Sequence, residues 1–226
     1  MEFRRLHRFT LEEVVALWNE GFQHYFVDLT MSLDAFVKRT AAEQLSLERS
    51  FAILDGQRPV GFVMNGFRIV TDRKIVWNGG TAIVPEYRHQ GVGKLLIGHA
   101  IELYREEGVD SAFLEAFKEN APAIALYEKC GYQLIDGLSF LRHEGEIKQG
   151  QFGKSAELGE VRFRYGIPQD IQSLHFRTDN FAWQSQWQSV QHGQSLIAYD
   201  AAGEAAGYAV YRRMYDEAGV HRTTVL

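Results

Sequence analysis

Nine residues, Arg88-His89-Gln90-Gly91-Val92-Gly93-Lys94-Leu95-Leu96, follow the apolar run Thr81-Ala82-Ile83-Val84 and open a long amphipathic stretch. A strand therefore hands a glycine-rich turn to a helix N-terminus. The first turn of a helix carries unpaired N–H groups and a partial positive charge, and Gly91 and Gly93 bring no Cβ between those amides and an anion. The pattern predicts a phosphate-carrying ligand. It is not the dinucleotide fingerprint, which needs three glycines and a later acidic residue. Nor is it a Walker loop, because Lys94 is followed by Leu95 and not by a hydroxyl for magnesium.

A second block lies downstream, Asn120-Ala121-Pro122-Ala123-Ile124-Ala125-Leu126-Tyr127-Glu128-Lys129-Cys130-Gly131-Tyr132. Between the two, Gly91 to about Glu107 reads as a helix and Ser111 to Ala116 as a strand, with Gly108 placed for a left-handed helix C-cap. The first block resembles the Arg/Gln-x-x-Gly-x-Gly/Ala signature of the GNAT N-acetyltransferases. The second resembles that family's Asn-x-x-Ala-x-x-Leu-Tyr-x-x-x-Gly-Phe/Tyr segment. The resemblance covers residues 1 to about 145, with its motifs between 84 and 132. It implies an α/β GNAT fold, a mixed and mostly antiparallel sheet flanked by helices, and acetyl-CoA as acyl donor without a metal.

Carried over residue by residue, the resemblance gives backbone groups of Ile83 and Val84 to the pantetheine arm and amides of Gln90, Gly91, Val92, Gly93 and Lys94 to the pyrophosphate, with Arg88 and His89 counted among the cofactor-binding residues. Arg88 either adds charge there or is a surface arginine. Asn120 bonds the cofactor or caps its helix, and Ala123 lies on the same cofactor face. Tyr127 is the candidate general acid for the departing thiolate, or else a packed tyrosine. A phenol of pKa ~10 giving its proton to a thiolate of pKa ~8.5 works uphill by about 2 kcal/mol. Cys130 carries no charge pattern that marks a thiolate and is not read as a nucleophile.

The base is less defined. Many relatives place a glutamate on the fourth strand, whereas this one reads Lys74-Ile75-Val76-Trp77-Asn78-Gly79-Gly80-Thr81. Glu115 is the first acidic candidate, then Asp28 and His24, and a water relay is equally consistent. His24-Tyr25-Phe26-Val27-Asp28 also matches a His-x-x-x-Asp motif of much longer CoA-dependent acyltransferases, for which a solvated loop is the simpler reading. Trp18, Tyr25, Phe26 and Trp77 line an acceptor pocket or belong to the core. The expected reaction is direct transfer, in a ternary complex, to a primary amine of a small molecule or peptide. The alternative is a CoA-binding sensor or assembly module without turnover.

Upstream, Phe3 to Phe9 reads as a strand, and Thr10 with Glu13 forms a capping box for a helix whose face carries Leu11, Val14, Val15, Trp18 and Phe22. A second helix begins at Ser32 or Asp34. Strands follow over Ser50–Leu54, Val60–Val70 and Lys74–Val84, with a tight turn at Asp55-Gly56. A short strand after Tyr132, a turn at Asp136-Gly137 and a strand over Leu138–Arg142 are expected to close the sheet.

The last third restarts the pattern. Ser195–Asp200 and Gly207–Arg212 parallel Ser50–Asp55 and Gly61–Met64 with one extra residue in the turn, and Val161-Arg162-Phe163-Arg164 parallels the first strand. The expected organisation is a GNAT domain over 1–146, a linker over 147–159 and a smaller α+β partial repeat over 160–226 that lacks the cofactor motif. Its fourth strand, from His221, would leave a sheet edge for its own chain or a second subunit to cover, which makes a homodimer an expectation.

Composition sets outer limits. A chain of 226 residues with 46% hydrophobic residues builds a sizeable core, and a net charge of −5 argues against general nucleic-acid binding. No run of apolar residues reaches membrane-spanning length and the N-terminus does not read as a signal peptide, so a cytoplasmic protein without membrane contact is expected. One cysteine excludes an intrachain disulfide.

Overall fold

The computed structural model describes residues 1–141, 143, 145, 161–176, 182–190, 192–215, 219 and 221–225. The chain divides into two compact units, Met1–Leu134 and Ile135–Leu226. The expected linker over 147–159 lies outside the described residues.

The first unit runs β1 (Glu2–Arg5), α1 (Leu11–Gly21), α2 (Leu33–Glu43), β2 (Phe51–Asp55), β3 (Arg58–Val70), β4 (Arg73–Ile83), α3 (Val92–Glu106), β5 (Ser111–Leu114) and α4 (Ala121–Lys129). Its sheet has the order β1-β2-β3-β4-β5. The first three pairings are antiparallel, whereas β4 and β5 run parallel, because α3 carries the chain back across the sheet between them. The core gathers apolar residues of both layers, among them Trp18, Phe36, Phe51, Phe62, Leu96 and Ile97, all 2% exposed or less.

Local chemistry explains the helix ends. Thr10 Oγ1 accepts from Glu13 N at 3.2 Å while Glu13 Oε2 accepts from Thr10 N at 2.7 Å, so the capping box fixes where α1 starts. Ser32 caps α2 through Ala35 N at 3.2 Å. After α3, Gly108 takes φ +64° and the Val109 amide returns to Tyr104 O at 2.9 Å, a left-handed stop that a side chain would strain.

Two departures from the sequence reading have clear causes. The first strand ends at Arg5, after which Leu6–Arg8 forms a 3-10 turn that turns Leu6 fully into the core and bonds its amide to Ser50 O at 2.9 Å. The strand expected over Leu138–Arg142 does not form across 138–141; Arg142 lies outside the described residues. Residues 133–141 have no ladder partner, and Leu134, Phe140 and Leu141 are 86%, 86% and 95% exposed. Without a partner to take its amides, a run of apolar residues does not make a strand.

The second unit is built from β6 (Arg162–Gly166), β7 (Gln194–Tyr199), β8 (Ala205–Tyr215) and β9 (His221–Val225), an antiparallel sheet in chain order. It repeats a detail of the first. The β2–β3 register slips after the Ile53–Gly61 pair and the β7–β8 register slips after the Ala198–Gly207 pair, the step at which the two hairpins correspond. Where the first unit inserts two α-helices, the described residues of the second form only 3-10 turns, at Pro168–Ser173, Trp183–Ser185 and Trp187–Ser189. The expected α+β repeat is thus strands and 3-10 turns across the residues described. Ile171, Val190, Ile197 and Val210 make its own small core.

Candidate active site

The site sits where β4 leaves β5. The parallel pairing ends at Asn78 and Leu114, yet β4 continues to Ile83 with no strand on that edge among the described residues. Val84 N donates to Val60 O at 3.0 Å, so the alternation of a strand turns the N–H and C=O of Ile83 toward the open edge. The Val84 amide expected to meet a ligand is therefore already used. Arg88 Nε donates to Ile83 O at 3.0 Å and takes that carbonyl as well.

Below this edge the glycine turn delivers the N-terminus of α3. Gly91 is its N-cap at φ +82°, a conformation that a Cβ would strain, and the first turn holds no acidic residue to neutralise the dipole. Lys94 N returns to Gly91 O at 3.0 Å, which leaves the amides just before it directed outward from the helix end. Gly93 has a different role. A Cβ there would stand 2.8 Å from Leu126 Cδ2, so its bareness lets α4 pack against the start of α3.

Arg88 serves the scaffold. Its Nη2 donates to Gly21 O at 3.1 Å and to Gln23 O at 2.7 Å. A cation at the C-terminal end of α1 satisfies carbonyls that the helix leaves open and favours the negative end of its dipole. The guanidinium so ties the turn to α1 and the loop after it. His89 and Gln90 are exposed, and Gln90 Nε2 donates to Glu86 O.

At the other wall, Asn120 Oδ1 accepts from Ala123 N at 3.3 Å and caps α4, while Asn120 Nδ2 donates to Tyr25 Oη at 3.3 Å. This joins α4 to the α1–α2 loop. Tyr127, two turns along α4, keeps part of its surface open, but desolvation around the hydroxyl, and then the neighbouring Tyr25, push its phenol up to about 12; a hydrogen bond from Thr81 works against the rise. Thr81 itself shares two contacts with Asn78, from Asn78 Nδ2 at 2.7 Å and to Asn78 Oδ1 at 3.0 Å. The structure pairs Asn78 with Thr81 and Asn120 with Tyr25 by hydrogen bonds, and sets the Tyr127 hydroxyl near Thr81 and Tyr25.

Two of these, Asn78 and Thr81, were not singled out by sequence reasoning. A bulge, described below, turns them together, and no spacing rule signals it. Of the four aromatic candidates, Trp18 and Trp77 are core residues at 2% and 3% exposure, whereas Phe26 is 54% exposed and stands beside Tyr25 and the exposed Phe117.

The acidic candidates lie at the surface. Glu115 is exposed one residue beyond β5. Asp28 accepts from Thr30 N at 2.9 Å, and hydrogen bonds from Thr30 hold its carboxylate below the ordinary range, which makes it a weaker base. His24 is exposed in the left-handed region at φ +59°. No group of three or more metal-ligating side chains occurs among the described residues, and no helix among them is long and apolar enough to cross a membrane.

An open strand edge above a glycine-capped helix N-terminus, flanked by a tyrosine on the following helix, is the frame of an acyl-CoA transferase. The chain belongs to the GNAT acetyltransferase family, whose model matches residues 10–132. It is 35% identical over 94 residues to the [ribosomal protein bS18]-alanine N-acetyltransferase of Escherichia coli K12, a match covering 38% of this chain and 62% of that protein. It is 33% identical over 69 residues to the streptothricin acetyltransferase of Streptomyces lavendulae, covering 30% and 36%. The chain thus spans less than two thirds of the length of these curated relatives. Among solved structures, a putative acetyltransferase from Agrobacterium tumefaciens C58 aligns with TM-score 0.51 and 18% identity over 63% of this chain and all of that one. The NatC complex bound to Gag peptide and CoA aligns with TM-score 0.50 and 20% identity, covering 60% and 86%. These two share the fold.

Proposed function

We propose that this chain transfers the acetyl group of acetyl-CoA to the α-amino group of a peptide N-terminus, directly, in a ternary complex. The observation that carries the reading is the placing of Tyr127 near two hydrogen-bonded pairs, Asn78–Thr81 and Asn120–Tyr25, beside the open edge of β4.

The residues present fit acetyl-CoA. Amides from Gln90 to Gly93 hold the pyrophosphate at the positive end of α3, and the Ile83 N–H with the backbone groups of Thr81 receives the pantetheine arm as an added strand, the Ile83 carbonyl being held by Arg88. Bound there, the thioester supplies the acetyl group. Proximity of amine and carbonyl provides much of the rate.

Tyr127 acts on the leaving sulfur. With its phenol near 12, complete proton transfer to a thiolate of pKa ~8.5 is uphill by up to about 5 kcal/mol, more than an ordinary tyrosine would face. Its role is then to donate a hydrogen bond to the sulfur as charge develops, a contact stronger in the transition state than before it.

The acceptor's own acidity selects its class. An α-amine, pKa ~7.7–8.0, costs about 1 kcal/mol to deprotonate at pH 7, whereas a lysine amine at ~10.4 costs about 4.6 kcal/mol. At that cost the proton of an α-amine leaves through water to solvent, with the exposed Glu115 as a relay and no strong base required. The bS18-alanine acetyltransferases among the relatives supply an independent reason to choose a peptide terminus over other amines.

The test is a peptide with a free α-amine and one internal lysine, incubated with acetyl-CoA and mapped by fragmentation mass spectrometry. Acetyl on the α-nitrogen supports the reading. Acetyl on lysine alone, or on aminoglycosides but no peptide, overturns the acceptor assignment. CoA binding without transfer to any amine would instead favour a binding module.

A further inference from the structure

β4 contains one residue more than its partner. The register passes from Met64–Gly80 to Asn65–Asn78, which leaves Gly79 unpaired as a bulge, at the first position beyond the last β4–β5 pair. A Cβ on Gly79 would stand 2.4 Å from the Trp77 ring and one on Gly80 2.8 Å from the Trp18 ring. Only glycines fit beneath these two indoles.

The bulge is pinned from both ends of one peptide. Gly80 N donates to Asn78 Oδ1 at 3.2 Å, and the Gly79 carbonyl accepts from Arg39 Nη2 of α2 at 2.7 Å. Arg39 is itself fixed. Its Nε donates to Glu43 Oε2 at 2.8 Å, and its guanidinium carbon lies 4.6 Å from the centre of a Trp18 ring. Trp18 Nε1 in turn holds Leu29 O in the α1–α2 loop at 2.8 Å. A planar fork meets a carboxylate, a carbonyl and an aromatic face at once, which an ammonium cannot do.

We infer that Arg39 is a positioning residue for acyl transfer: by holding the Gly79 carbonyl it sets the bulge that carries Asn78 and Thr81 to Tyr127. It touches no reacting atom. Through Trp18 the same guanidinium couples the bulge to the loop bearing Tyr25, so both walls of the cleft depend on one side chain. This inference rests on the acetyl-transfer reading above. A wrong orientation of the Gly79–Gly80 peptide displaces the Asn78–Thr81 pair beside Tyr127 without touching the α3 N-terminus proposed for the cofactor phosphates.

The test is Arg39→Met, with Arg39→Lys beside it, assayed for turnover of acetyl-CoA with a free-amine peptide and for CoA affinity by calorimetry. In the Met variant kcat should fall by about tenfold or more while CoA affinity stays within about twofold, and Lys, which restores a single bond, should recover part of the loss. Unchanged kcat in a folded Met variant overturns the inference. So does a matching loss of CoA affinity, which would make Arg39 a general support of the fold. If Met does not fold, the same kcat-against-affinity split is read from Lys.

A second readout separates this inference from the acceptor assignment. The Tyr127 ring-carbon resonance in tyrosine-labelled protein, assigned with Tyr127→Phe, should move in the Arg39 variants even if the wild type acetylates no peptide. A Tyr127 signal identical to wild type would overturn the inference whatever the activity.

Discussion

Gly93 and Leu126 meet where α3 and α4 converge: a Cβ on the glycine would stand 2.8 Å from the leucine Cδ2. The two glycines of the turn therefore answer to different demands, since a Cβ on Gly91 would meet nothing within 4 Å but would be strained by its φ of +82°. Gly91→Val should weaken CoA binding by at least about tenfold through a reshaped anion turn, with a stability cost of about 1–2 kcal/mol. Gly93→Val should weaken binding and also displace α4. Calorimetry with CoA, together with thermal melts, separates the two. A folded Gly91→Val protein with unchanged CoA affinity would remove the turn from the site.

Arg88 ties the turn to Gly21 and Gln23, so its loss should act on the acceptor loop more than on the cofactor. Arg88→Gln should lower stability by about 1–3 kcal/mol, the range for a charge-assisted bond. It should raise the KM of the peptide more than that of acetyl-CoA. A rise confined to acetyl-CoA would return Arg88 to the phosphates.

Alkaline pH should unfold the first unit early. Burial raises the phenols of Tyr104, Tyr127 and Tyr132, with Tyr127 at about 12. Above pH ~10 the unfolded chain releases protons that the folded one keeps, so stability falls as pH rises. The full cost from Tyr127 is about 3 kcal/mol, reached only above pH 12. Melting curves from pH 8 to 11 should show a falling Tm, and Tyr132→Phe should flatten the fall. A constant Tm over that range would contradict the burial of these hydroxyls.

Much of this was legible because it is local. The capping box at Thr10 and Glu13, the left-handed Gly108 and the strand-turn-helix at Gly91 each depend on residues within a few positions of one another. The repeated hairpin was legible for the same reason, down to the one-residue difference in its turn. What escaped the sequence is non-local. Arg39 reaches Gly79 across 40 positions and Tyr104 Oη donates to Asn65 Oδ1 at 2.6 Å across 39, and no periodicity marks either pair. The bonds of Arg88 to three backbone carbonyls were not legible either, because a motif arginine beside a phosphate turn gives no sign of the distant carbonyls it meets. The strand expected over Leu138–Arg142 is rich in apolar residues over 138–141 but has no ladder partner there among the described residues, and a strand is a property of a pair.

The pH dependence of turnover should follow the acceptor and not Tyr127. A phenol near 12 stays protonated through pH 10, so it imposes no alkaline loss in the working range. kcat/KM for a peptide α-amine should rise to about pH 8 and then level. A bell with a descending limb near pH 9 would assign the acid to another group.

The most direct measurement compares wild type with Tyr127→Phe in two assays, thiol release from acetyl-CoA with a free-amine peptide and CoA binding by calorimetry. The account predicts turnover by the wild type, a loss of kcat by about tenfold or more in the Phe variant, and a CoA affinity equal within about twofold. A Phe variant as active as the wild type would contradict it, because the Tyr127 hydroxyl, set near Thr81 and Tyr25, would then not serve the departing sulfur.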